Sequence, residues 1–151
     1  MGEEQREKQQ WDKINISSPN LVSICVDENQ DGELKGRIYQ YYTEAPWVFE
    51  NVVQLLRILE RFYDNISFPQ ASLESRHFNK KHIYQPRNWE KTVEPETVLS
   101  QRGKKGTFVS CVHYRQNATW QGELFWLEKD VNHFFASSLE FIKLLDNALN
   151  A

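Results

Sequence analysis

Residues 22–63 lie on residues 108–149 at a constant offset of 86 with no gap, and this correspondence constrains the fold more than any other feature. Cys25 falls on Cys111, Val26 on Val112, Gln30 on Gln116, Gly36 on Gly122 and Phe49 on Phe135. The apolar register follows: Leu34 meets Trp120, Ile38 meets Leu124 and Tyr39 meets Phe125. Val53, Leu56 and Leu59 meet Leu139, Ile142 and Leu145. In each segment two β-branched and aromatic runs come first, then a stretch of helical period. The pattern predicts two strand–strand–helix units, with a short extra strand before each helix at "PWVF" and "VNHFF".

Between the first two runs stands "DENQDGELKG", residues 27–36, which begins like a calcium loop. Asp27, Asn29, Asp31 and Gly32 fit, but the closing Glu of such a loop would fall on Ile38. "LVSICV" before it and "GRIYQYY" after it read as strands, not helices. The equivalent stretch of the second unit, "HYRQNATWQG", has no carboxylate. A hairpin connection explains both stretches, and no metal site is expected.

Asn51 with Gln54, and Ser137 with Glu140, form capping boxes at equivalent places. They predict helices over 52–63 and 138–149, with Phe49 and Phe135 packing at their starts. Val52, Leu55, Leu56, Leu59 and Phe62 form one apolar stripe; Leu139, Ile142, Leu145 and Leu149 form the other. The expected fold class is α+β: two strand–strand–(strand)–helix units in one antiparallel sheet, both helices on one face. If Tyr39 and Phe125 point inward, the other face carries Cys25, Gln40, Tyr42, Cys111, His113 and Trp126. A slip of one residue in register exchanges the faces.

The 151 residues are expected to form a single domain: units at about 22–63 and 108–149, an irregular linker over 64–106, and an N-terminal tail over 1–13. The linker holds three of the five prolines, with a short helix expected near "ETVLSQR". Between Arg76 and Lys105, eight Lys and Arg face three Glu, although the whole chain carries −3. His77, Phe78, Tyr84 and Trp89 are interleaved with these cations. Such a segment can embrace a nucleic-acid backbone or an acidic protein. The N-terminus is charged and has no signal-peptide core, no apolar run is long enough to span a membrane, and two cysteines make no disulfide scaffold. A cytoplasmic protein with reduced thiols is expected.

No catalytic constellation assembles from the sequence. Cys111 and His113 share a strand face, so a thiolate–imidazole pair is conceivable, but Cys25 in the other unit meets Asp27 instead. His77 and His82 lack the Cys partners of a zinc site. "GKKGT" lacks the earlier glycine of a phosphate loop. No catalytic residue, no cofactor and no enzyme activity is expected.

Gln101–Gly103, Arg115–Asn117 with Trp120–Gly122, and Phe135 with Ser137 and Glu140 carry a resemblance. With "GRIYQYY" and "NISFPQAS" of the first half, this pattern resembles a family of small uncharacterised proteins of clostridial and related Firmicutes genomes. The resemblance implies a bacterial, cytosolic origin and transfers no catalytic role. Ala136 departs from it, standing where the family pattern has Arg.

The expected function is non-catalytic binding of a protein partner or of a second copy; a variant is inhibition of a nucleic-acid-processing machine. The alternative is binding of single-stranded nucleic acid on the sheet face. Both readings draw on Trp126 and Tyr42 of that face, His113 beside them, and the cations Arg102, Lys104, Lys105 and Arg115.

Overall fold

Asp31 and Gly32 adopt positive φ of 51° and 84°, the backbone of a two-residue hairpin loop whose twist matches that of its strands. They join β1 (Val22–Gln30) to β2 (Glu33–Tyr39), with Gln30 opposite Glu33. In the second half Asn117 and Ala118, φ 56° and 58°, turn β5 (Gly106–Gln116) toward β6 (Gln121–Trp126). The acidic stretch at 27–36 is therefore a hairpin.

The computed structural model describes residues 11–72 and 90–150. Arg76, His77, Phe78, His82, Tyr84 and Trp89 of the basic linker, and most of the N-terminal tail, lie outside the described residues. Along the chain follow β3 (Trp47–Phe49), α1 (Val52–Ile66), the two-residue β4 (Ala71–Ser72) and α2 (Pro95–Leu99). After β5 and β6 come a 3-10 turn (Leu127–Lys129), β7 (Val131–Phe135) and α3 (Ser138–Leu149). Six strands form an antiparallel sheet in the order β3-β2-β1-β5-β6-β7, and β4 adds a parallel pair at the end of β5. The class is α+β, with α1 and α3 on one face.

The ladders of the two halves match from Ser23 to Glu28 and from Val109 to Tyr114, while the hairpin ends differ. Val26 pairs with Gly36 and Val112 with Gly122, and each pair is followed by a bulge. Gly36 pairs with Phe49 and Gly122 with Phe135. A Cβ on Gly36 would overlap the carbonyl oxygen of Cys25; one on Gly122 would overlap that of Cys111. The strands approach this closely only because both positions are glycine. The halves meet along β1 and β5, where Val22 faces Ser110, Ser23 faces Val109 and Ile24 faces Phe108. Exchanging the halves maps this seam onto itself, so Ser23 and Val109 mark a local two-fold.

Both helices start in the same way. Asn51 Oδ1 accepts from Gln54 N at 2.8 Å, and Gln54 Oε1 accepts from Glu50 N at 2.8 Å. Ser137 Oγ accepts from Glu140 N at 3.1 Å, and Glu140 Oε2 accepts from Ala136 N at 2.6 Å. Each reach-back ends one residue before the cap. Phe135 packs edge-on against Phe141, ring centroids 5.3 Å apart. α1 runs three residues past the expected end at 63, to a left-handed Ser67.

The main core lies between the sheet and the two helices. Val22, Ile24, Val26, Ile38, Phe108, Val112 and Leu124 meet Leu55, Leu59, Phe62 and Tyr63 of α1 and Phe141 and Leu145 of α3. On α3 the expected row holds at Leu145, which is buried, and at Ile142 and Leu149, which pack against the core; Phe141 is buried beside them, and of the expected row Leu139 alone is exposed.

The expected assignment of β2 and β6 to the two faces is reversed. Ile38 and Leu124 point toward the helices; Tyr39 and Phe125 pack on the other side. Both strands carry adjacent apolar residues, so their own pattern does not choose a face. The far face is not an open platform either. Leu21, Tyr41, Val93, Val98 and Leu99 cover Val109, Cys111 and Phe125 there, with Trp11 and Ile14 at the margin. Covering a large apolar side chain contributes roughly 1.5–3 kcal/mol, which the short α2 and the segment before β1 supply.

Candidate interaction surface

Three of the expected site residues are structural. Trp126 lies on the helix side of β6, half-buried, its ring stacked on Phe108 at 6.0 Å. Tyr42 meets the edge of Phe62 at 5.8 Å and donates its hydroxyl to Pro19 O at 2.9 Å. Arg115 is 4% exposed. Its Nη1 reaches Asp64 at 2.6 Å and Glu60 at 3.3 Å, and its Nε donates to Pro69 O at 2.6 Å. Glu60 also accepts from Trp120 Nε1. Arg115 therefore ties β5 to the last turns of α1. The three do not share one open sheet face: Arg115 is buried, and Trp126 lies on the helix side rather than beside Cys111.

Arg102, Lys104 and Lys105 are exposed on the loop entering β5. The loop is pinned by its backbone: Lys105 N donates to Val26 O at 2.8 Å and Lys104 N to Asp27 Oδ1 at 3.2 Å. Arg37 clamps it from β2, holding Asp27 through Nε at 2.9 Å and Nη2 at 3.1 Å and donating Nη2 to Arg102 O at 2.8 Å. Partial burial works against ionised Asp27, but the bonds from Arg37 and Lys104 outweigh it and hold the carboxyl below the usual range. A shallow cleft of about 610 Å³ opens here between Lys35, Arg37, Val48, Glu50 and Lys104, lined by both signs of charge.

The equivalent place in the second half also carries a side-chain pair, with the acid on the other strand. His113 stands at the position of Asp27, and Glu123 at that of Arg37. His113 Nε2 lies 2.5 Å from Glu123 Oε2, and Asn132 Nδ2 donates to Glu123 Oε1 at 2.8 Å. His113 is thus partnered by Glu123. Burial pushes the Cys111 thiol up to about 12, and burial also raises Cys25.

Several large apolar residues also face solvent, and sequence reasoning missed them. Phe134 on β7 is 75% exposed and Val48 on β3 is 63% exposed. Leu139 and Val53, in the first turns of α3 and α1, are 59% and 61% exposed. Phe134 stands 86 positions after Val48, and Leu139 the same distance after Val53. The internal offset, read against the helix and strand periods, is the signal that could have found them. Val131 and Phe134 share the end of the sheet with Leu139, which makes the β7 end the more apolar of the two.

Among the described residues no helix is long and apolar enough to cross a membrane, and no cluster of three or more His, Cys, Asp or Glu could hold a metal. Compared with protein-family models, with curated proteins and with solved structures, the chain matches none.

Proposed function

We propose that this protein is a small non-catalytic binding protein that works through protein–protein contacts, and that the contact is made at the β7 edge. The observation carrying the reading is Phe134, three-quarters exposed on a strand that ends the sheet. Large aromatics on an open edge are unusual unless something covers them. The reading includes a cytoplasmic setting and bacterial kinship with the Firmicutes family that the motifs resemble. It also includes descent of the two halves from one ancestral unit, supported by the matched ladders and caps. If relatives, once aligned, agree between halves no better at an offset of 86 than at other offsets, that descent is wrong.

Paired capture from a native bacterial lysate tests the contact, with the wild-type chain and Phe134→Asp as baits and each run with and without nuclease. Proteins that survive nuclease and are lost with Phe134→Asp support it, and inhibition of a nucleic-acid-processing machine would appear among them. The second reading, single-stranded nucleic acid, is favoured by the exposed cations of the 102–105 loop. Capture abolished by nuclease and by rising salt, yet unchanged by Phe134→Asp, would replace the first reading with it.

A further inference from the structure

The two ends of the sheet differ in how well they resist pairing. β3 is three residues long and follows Pro46, so it is short and blunted. β7 is five residues, "VNHFF", with no proline, no lysine or arginine, and no break in its register with β6. Among the described residues nothing pairs with its outer side. Such an edge offers a row of backbone donors and acceptors to any strand that can lie beside it.

The side chains around β7 suit a copy of the same edge. The carboxylates that would repel one another already have partners within the chain. Glu123 is engaged by His113 and Asn132, Asp130 by Lys13 Nζ at 2.8 Å, and Glu140 by Ala136 N. What protrudes is apolar. Phe134 projects on the face away from the helices, since its partner Glu123 shares a face with Phe125. Leu139 stands in the first turn of α3 on the helix side. A two-fold axis perpendicular to the sheet keeps both faces in common, so Phe134 would meet its mate below the seam and Leu139 above it. The chain already pairs equivalent edges in this way, for β1 and β5 run antiparallel about a local two-fold.

We propose that the partner at the β7 edge is a second copy of this chain, joined strand to strand and antiparallel in a closed two-fold dimer. The seam is sealed by Phe134 on one face and Leu139 on the other. This rests on the reading of β7 as the contact edge and names its occupant. Closed two-fold dimers are the commonest assembly of soluble chains, and a seam this small places the complex in the weak, concentration-dependent class.

Light scattering on the purified full chain over a hundredfold concentration range tests it. The expected mass rises from 18.0 kDa toward twice that value. Phe134→Asp abolishes the rise, whereas Val48→Asp, the same change at the equivalent site on β3, leaves it intact. Hydrogen exchange on the wild type gives an independent reading: the β7 amides gain protection as concentration increases, even if Phe134→Asp folds poorly. A mass of one chain at every concentration with unchanged β7 exchange overturns the dimer. So does association that survives Phe134→Asp in a folded variant. A monomer whose lysate capture still depends on Phe134 would refute self-pairing and leave the contact edge standing for a different protein.

Discussion

Arg115→Ala separates a buried tie from an exposed contact residue. The substitution deletes the bond to Pro69 O, leaving that carbonyl without this donor, and removes the counter-charge of Glu60 and Asp64. An acceptor left unsatisfied costs about 1–3 kcal/mol. The two carboxylates are about half-exposed, so solvent takes them over and each ion pair contributes roughly 0.2–1 kcal/mol. The guanidinium also lies 5.8 Å from the Tyr63 ring centroid, and its stem loses that packing. The total is about 3 kcal/mol, at the low end of the ~3–5 typical of the most buried pairs because the acids can reach water. Urea unfolding should show the midpoint fall with the slope unchanged, and the melting temperature should drop by about 2–4 °C per kcal/mol for a chain of this size. Arg115→Lys keeps the charge but not the forked geometry and should recover about half. A loss under about 0.5 kcal/mol, as for an ordinary surface arginine, would refute the buried tie.

Gly36→Ala and Gly122→Ala should each destabilise by roughly 3 kcal/mol, because the new methyl meets a carbonyl oxygen of the neighbouring strand; equal midpoints for variant and wild type would argue against so close an approach. Asp27 has a depressed carboxyl in the folded chain, so its contribution is full above the unfolded value of about 3.9 and fades as pH falls through the lower folded value. Urea midpoints taken down to about pH 2.5 should show Asp27→Asn less stable at neutral pH and flatter on the acid side; parallel curves would contradict the Arg37 clamp. Cys25 and Cys111 should react with a thiol reagent at pH 8 about a hundredfold more slowly in the folded protein than in urea, and a fast native phase would show that one thiol is accessible.

Sequence alone determined the parts that depend on near neighbours. The Asp31–Gly32 turn is legible because two adjacent residues must take positive φ. The Asn51 and Ser137 caps are legible because their bonds span three residues. The α+β order is legible because strand and helix periods differ. Tertiary structure decided the rest, because the partners are far apart in the chain. Ile38 and Tyr39, like Leu124 and Phe125, are adjacent apolar residues whose facing depends on whether helices or the α2 segment cover them. Arg115 reads as an exposed cation until Asp64 arrives across 51 residues, and Trp126 reads as a platform until Phe108 lies against it. Phe134 goes unnoticed within "VNHFF", where two identical rings stand side by side. The expected packing of Phe135 at the helix start puts Phe134 on the opposite face, since successive residues of a strand leave opposite faces; that no strand among the described residues lies beyond β7 is what only the sheet order shows.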